Sequence, residues 1–211
     1  MRINYLFSRL DKVNGFTKKQ KEFLKKDIKN NMNIVFIASS FDNYERNDIK
    51  HKELVKLFND INIKFNNIYL IDNRIDSNKS KELIKKSDII FLMGGDPKKE
   101  MDSIIEYDLV SDIKTKEGII IGVSAGSKNQ ITNIIYKDEI DNNILVKYKG
   151  LGFFDTNIYP HVDINNKEYL QEIFEVSKYA KILGLPNSSF IRIENDKVDI
   201  IGEHYYIEYS N

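Results

Sequence analysis

The stretch Gly122-Val123-Ser124-Ala125-Gly126 sets a hydroxyl between two glycines, directly after the apolar run Ile119-Ile120-Ile121. It fits the G-x-S-x-G nucleophile elbow, a strained strand-to-helix turn that presents a serine oxygen above the edge of a sheet. In such a turn the N–H of Ala125 faces a space at a helix N-terminus where an oxyanion can be held. The same five residues also suit an ordinary tight turn, with glycines relieving crowding. A serine nucleophile needs a base, and the chain has 3 histidines. His51 sits in a polar stretch and reads as a surface helix residue, and His204 reads as part of a terminal β segment. His161 follows Tyr159-Pro160 at the end of a short strand and is the candidate base. A second loop, Gly94-Gly95-Asp96-Pro97, also follows an apolar run. Its glycines let backbone N–H groups approach a ligand, and Asp96-Pro97 suits a helix start, with Asp as cap and Pro in the first turn.

The elements that must hold these loops follow from hydrophobic periodicity. Strands are predicted at Ile3–Phe7, Asn33–Ala38, Asn67–Ile71, Asp88–Met93 and Gly118–Val123. Amphipathic helices are predicted between them at Thr17–Lys29, Asp48–Asn59, Ser77–Lys86 and Pro97–Val110. The runs "IVFIA", "IIFLM" and "IIIGV" are continuously apolar, as strands buried on both faces of a parallel sheet must be. Strand–helix–strand crossovers of this length are right-handed, which gives an α/β fold, a three-layer α/β/α sandwich with a mainly parallel central sheet. After Ser127 the rhythm loosens. Leu145–Tyr148 and Asn157–Tyr159 read as strands and Lys167–Lys178 as a helix. Ser188–Glu194, Val198–Ile201 and Tyr205–Tyr209 read as a closing β-meander with a hairpin turn at Asn195-Asp196-Lys197. No repeat or linker divides the chain, so residues 1–211 are expected to form a single domain. In an open parallel sheet ligands bind beyond the carboxyl ends of the strands, where both candidate loops fall.

Composition narrows the chemistry. Lys+Arg and Asp+Glu balance at 32 each, so no net field points to nucleic acid as a partner. No apolar run approaches the ~20 residues that span a bilayer, and the N-terminus reads as a strand, which suggests a cytoplasmic protein. The absence of cysteine excludes a cysteine nucleophile, and with it glutamine amidotransfer, as well as disulfides and thiolate zinc sites. No metal-ligand spacing is visible and no cofactor is expected; a monomer or homodimer is expected.

Taken together, "GGDP", "GVSAGS", "YPHVD" and "ILGLPNSS" resemble the dipeptidase E (aspartyl dipeptidase) and cyanophycinase family of serine peptidases over nearly the whole chain. That family has the class I glutamine amidotransferase-like fold, with serine in place of cysteine. The resemblance implies Ser124 as nucleophile and His161 as general base. It implies an oxyanion hole from the backbone amides of Gly95 and Ala125, with Gly94 and Asp96 bordering the substrate. An acid reported for family members falls on Glu139, with Asp138 adjacent. A second acid proposed in the family follows "GLP", where this chain has Asn187. The family's glycine loop usually carries Asn where this chain has Asp96.

The implied function is hydrolysis of a small peptide or related amide. The alternative is a non-catalytic small-molecule-binding member of the same fold, and an ordinary α/β-hydrolase would need His204 as its base. An aspartate-specific member is expected to carry an arginine shortly after the histidine. The 5 arginines here are Arg2, Arg9, Arg46, Arg74 and Arg192, and none lies in 162–178. Arg192 reads as a structural ion pair. Tyr159, Tyr169 and Phe153-Phe154 are instead expected to line the pocket, giving no strong preference for aspartate.

Overall fold

The computed structural model describes residues 1–138 and 144–209. The chain runs β1 (Arg2–Phe7), α1 (Lys18–Asp27), β2 (Ile34–Ile37), α2 (Tyr44–Asp60), β3 (Ile68–Ile71), α3 (Ser77–Lys86), β4 (Ile89–Leu92), α4 (Pro97–Glu106), α5 (Val110–Thr115), β5 (Gly118–Val123) and α6 (Ala125–Lys128). There follow β6 (Asn133–Lys137), β7 (Leu145–Lys149), β8 (Asn157–Pro160), α7 (Lys167–Ser177), β9 (Ile182–Leu185), β10 (Phe190–Glu194), β11 (Lys197–Ile201) and β12 (Tyr205–Ile207).

The main sheet has 7 strands in the order β11-β10-β1-β5-β4-β2-β3. From β1 to β3 every neighbour is parallel, and β10 and β11 extend the sheet antiparallel. The continuous apolar strands fill both faces. Phe36, Phe91 and Ile121 point to one side and pack with Leu24 of α1 and Leu57 and Phe58 of α2. Val35, Leu92 and Ile120 point to the other and meet Leu83 of α3, Met101 of α4 and Ile113 of α5. This is the expected α/β/α layering.

The helix predicted over Pro97–Val110 ends at Glu106, just before Asp108 takes a left-handed φ of 52°, and a second helix starts at Val110. The predicted meander is also split. β10 and β11 form a hairpin on the main sheet, turned by Asn195 and Asp196 at positive φ. β12 leaves it to join a separate sheet of order β12-β9-β8. The strand expected at Leu145–Tyr148 is β7, which pairs antiparallel with β6; β6 and β9 are not among the elements expected from periodicity. Arg192 is 2% exposed and its Nε donates to Asp27 Oδ2 at 2.6 Å, tying β10 to the end of α1 as a structural ion pair.

Candidate active site

Ser124 stands between β5 and α6 with φ 53° and ψ −106°, a backbone conformation that costs a non-glycine residue about 1–3 kcal/mol. Close packing enforces it. A Cβ on Gly126 would lie 2.3 Å from the Leu92 carbonyl oxygen, and one on Gly122 would lie 2.4 Å from the Gly126 carbonyl oxygen. The glycines therefore serve the turn and the presentation of the serine together. The Phe7 carbonyl, at the end of β1, accepts from Ser124 N–H at 2.9 Å and from Ser127 Oγ at 2.8 Å, pinning the elbow to the neighbouring strand.

His161 arrives from the second sheet, at the end of β8, also at positive φ (64°). Its N–H donates to Ser8 Oγ at 2.9 Å, while the Ser8 hydroxyl donates to the Leu185 carbonyl. Ser8 thus joins the end of β1 to the ends of β8 and β9. The ring bridges two residues. Its Nε2 is 2.8 Å from Ser124 Oγ, and its Nδ1 is 2.8 Å from Asn187 Oδ1. With Oδ1 accepting, Nδ1 carries the proton and Nε2 offers its lone pair to the serine hydroxyl. Burial pushes the imidazole pKa below its ordinary value, and Lys128 and Arg9 push the same way against the opposing Asn187 bond. His161 is therefore neutral at neutral pH, as a base must be.

Gly94 and Gly95 follow β4 and lie beside the elbow. Among the described residues no backbone carbonyl accepts from the N–H of Gly95 or of Ala125. Asp96 caps α4, its Oδ1 accepting from Lys98 N–H at 2.9 Å and Lys99 N–H at 3.1 Å, and it does not border the cavity over Ser124. Glu139 lies outside the described residues. Asp138 closes the β6–β7 hairpin, its N–H donating to the Ile144 carbonyl. His51, on α2, packs edge-on against Phe36, and His204, in the connection between β11 and β12, packs against Tyr206.

The cavity over Ser124 and His161 measures about 300 Å³ and is bordered by Arg9, Lys12, Lys50, Met93, Gly94 and Gly95 among others. Three cations and no carboxylate are among its described lining residues. This corrects the expected aromatic pocket. Tyr159 is 1% exposed in the core, Phe153 lies under the guanidinium of Arg2, and Phe154 packs against the core of the smaller sheets. The missed residues Ser8, Arg9 and Lys12 follow β1, the strand next to β5. The carboxyl-end rule applied to that first strand is the signal that points to them. Among the described residues no group of three or more His, Asp or Glu side chains is placed to hold a metal ion. No helix among them is long and apolar enough to cross a membrane.

Residues 7–201 match the sequence profile of Peptidase family S51. The chain belongs to that family. As an S51 chain it is a serine-type peptidase, and curated relatives agree. It is 26% identical over 196 residues to peptidase E of Nostoc sp. (strain PCC 7120), covering 86% of this chain and 76% of that one. It is 22% identical over 142 residues to peptidase E of Haemophilus influenzae (strain PittGG), covering 62% of this chain and 61% of the relative. Two solved structures share the fold. A peptidase from an acI-B1 actinobacterium superposes with a TM-score of 0.74 at 14% identity, over 99% of this chain and 91% of the other. A candidate peptidase E from Listeria monocytogenes EGD-e gives 0.70 at 18% identity, over 95% and 98%.

Proposed function

We propose that this S51 chain hydrolyses a small peptide or related amide through Ser124 and His161, with Asn187 holding the histidine. The observation that carries the reading is the 2.8 Å contact between Ser124 Oγ and His161 Nε2 on a strained elbow. A pure binding module has no use for that contact. Ser124 attacks the carbonyl carbon as its proton passes to His161 Nε2. The developing oxyanion is met by the N–H groups of Gly95 and Ala125, donors of a kind worth roughly 3 kcal/mol each. His161 then gives the proton to the leaving amine, and water repeats the cycle on the acyl-enzyme.

Arg9, Lys12 and Lys50 around the cavity favour a substrate with an acidic group beside the scissile bond. Glu139 has no part in this scheme, because Asn187 occupies Nδ1. The test is a dipeptide panel that includes acidic and neutral members, run with wild type and Ser124→Ala in parallel. Loss of hydrolysis by several orders of magnitude in the variant is expected; retained turnover overturns the mechanism.

A further inference from the structure

The carbonyl of Gly94 and the N–H of Gly95 belong to one peptide unit, and in a trans peptide they point in opposite directions. Whatever grips the carbonyl therefore aims the N–H. Glycine on both sides of that unit leaves its plane free to turn, since neither flanking residue has a side chain to forbid the flipped form. Here the carbonyl is gripped twice. Lys50 Nζ donates to Gly94 O at 2.7 Å and Ser39 Oγ donates to it at 3.0 Å, which fills both acceptor positions of the oxygen. Ser39 is 3% exposed at the end of β2, and Lys50 reaches in from α2. The fit around Ser39 is tight: a Cβ on Gly95 would lie 2.1 Å from its Oγ.

We infer that Lys50 and Ser39 are positioning residues that lock the Gly94–Gly95 peptide plane so that the Gly95 N–H faces the oxyanion formed at Ser124. The inference rests on the proposed function, which makes the Gly95 N–H an oxyanion donor. Lys50 borders the same cavity, so a direct contact with an anionic substrate is the competing role. The short charge-assisted bond commits its ammonium to the backbone instead. The charge also polarises the peptide it holds, which strengthens the opposite N–H as a donor.

The lock has its own pH signature. Burial lowers the Lys50 pKa to about 8; Arg46 and Lys12 repel its charge, and Glu100 and Glu53 support it. The ammonium is present below that value and lost above it, so donor alignment weakens as pH rises through about 8.

A neutral alkyl fluorophosphonate is the probe, because it reports serine reactivity and offers Lys50 no charge to bind. Lys50→Met and Ser39→Ala are each expected to slow the limiting labelling rate of Ser124 about 10- to 100-fold, less than the roughly 100- to 1000-fold of a donor lost outright, because the N–H is misaimed and not removed. The half-saturating probe concentration should stay within about twofold, the split expected of a transition-state effect. Lys50→Arg should restore most of the rate at pH 7 and remove the decline above pH 8. The double variant should lose little more than the worse single one, since both side chains act on one carbonyl. If Lys50→Met and Lys50→Arg label at the wild-type rate while Ser124→Ala blocks labelling, the lock is overturned and the Ser124 mechanism stands. If wild type is not labelled at Ser124, the mechanism and the lock fall together.

Discussion

The Nδ1 atom of His161 lies 2.8 Å from Oδ1 of Asn187, so the outer side of the ring meets a neutral amide. The amide selects the tautomer that bares Nε2 toward Ser124. It brings no negative charge to the imidazolium that forms when the serine proton arrives, which is the part a carboxylate plays in a Ser-His-Asp triad. Asn187→Asp should supply it. The acid limb of kcat/KM is expected to move up by about 1 pH unit or more, the effect of an opposite charge at hydrogen-bond distance. Above that limb kcat should rise about tenfold, corresponding to ~1.4 kcal/mol. Asn187→Ala should lower kcat with little change in KM. A pH–rate profile for the three proteins checks this, and superimposable profiles would show that the amide does not face the imidazolium during turnover.

The wild-type profile follows from the direction of the His161 shift. Burial disfavours the charged ring, and Lys128 and Arg9 add repulsion, so the pKa falls below the ordinary histidine value near 6.5. A base with a depressed pKa remains neutral down to lower pH. kcat/KM should therefore be flat near pH 7, and its acid limb should set in only as the pH drops below about 6.5, when His161 takes up a proton. An acid limb centred above pH 7 contradicts this assignment.

Packing at the elbow separates the glycines from the hydroxyl. The Cβ of Gly126→Ala would meet the Leu92 carbonyl oxygen at 2.3 Å, and a backbone atom cannot swing away as a side chain can. Overpacking of this kind costs about 1–3 kcal/mol or more. Chemical denaturation should show that loss together with reduced Ser124 labelling. Ser124→Ala should leave the denaturation midpoint nearly unchanged, because the hydroxyl's contact is with His161 and the turn is set by the backbone. A Gly126→Ala protein of wild-type stability would show the elbow to be looser than its packing indicates.

The parallel core and both glycine loops are legible in the sequence because their signals are local. Apolar runs such as Ile89–Leu92 and Ile119–Ile121 report burial on both faces, and Ser124 declares itself by its two neighbours. Ser77–Lys86 and Gly118–Val123 match the structure at both ends. What was not legible depends on pairings distant along the chain. The stretch Ile182–Leu185 becomes a strand by lying between β8 and β12, and neither partner is near it in sequence. Lys50 reads as one more polar residue of an amphipathic helix, and only the fold brings its ammonium to the Gly94 carbonyl. An arginine is expected shortly after the histidine, whereas Arg9 comes from the loop after β1.

That loop carries the last prediction, which concerns specificity. Of the three cations at the cavity, Lys12 pairs with Glu53 and Lys50 binds the Gly94 carbonyl. Arg9 forms no ion pair among the described residues, and it borders both this cavity and the neighbouring one that contains Asn187. Its guanidinium fork suits a carboxylate of the substrate, a geometry lysine cannot reproduce. A charge-assisted bond is worth about 1.5–3 kcal/mol when shielded, and the exposure of Arg9 discounts it toward the lower end. A dipeptide bearing aspartate should therefore be cleaved about tenfold or more faster in kcat/KM than its asparagine analogue, equivalent to ~1.4 kcal/mol. Arg9→Gln should shrink that ratio to under about threefold, and raising the salt concentration should erode it in wild type, as screening requires. Both measurements use one substrate pair at fixed pH, so differences in the pKa of His161 cancel. Equal rates on the aspartate and asparagine peptides in wild type would show that Arg9 does not contact the substrate and that the cavity's charge serves only its own backbone and surface pairs.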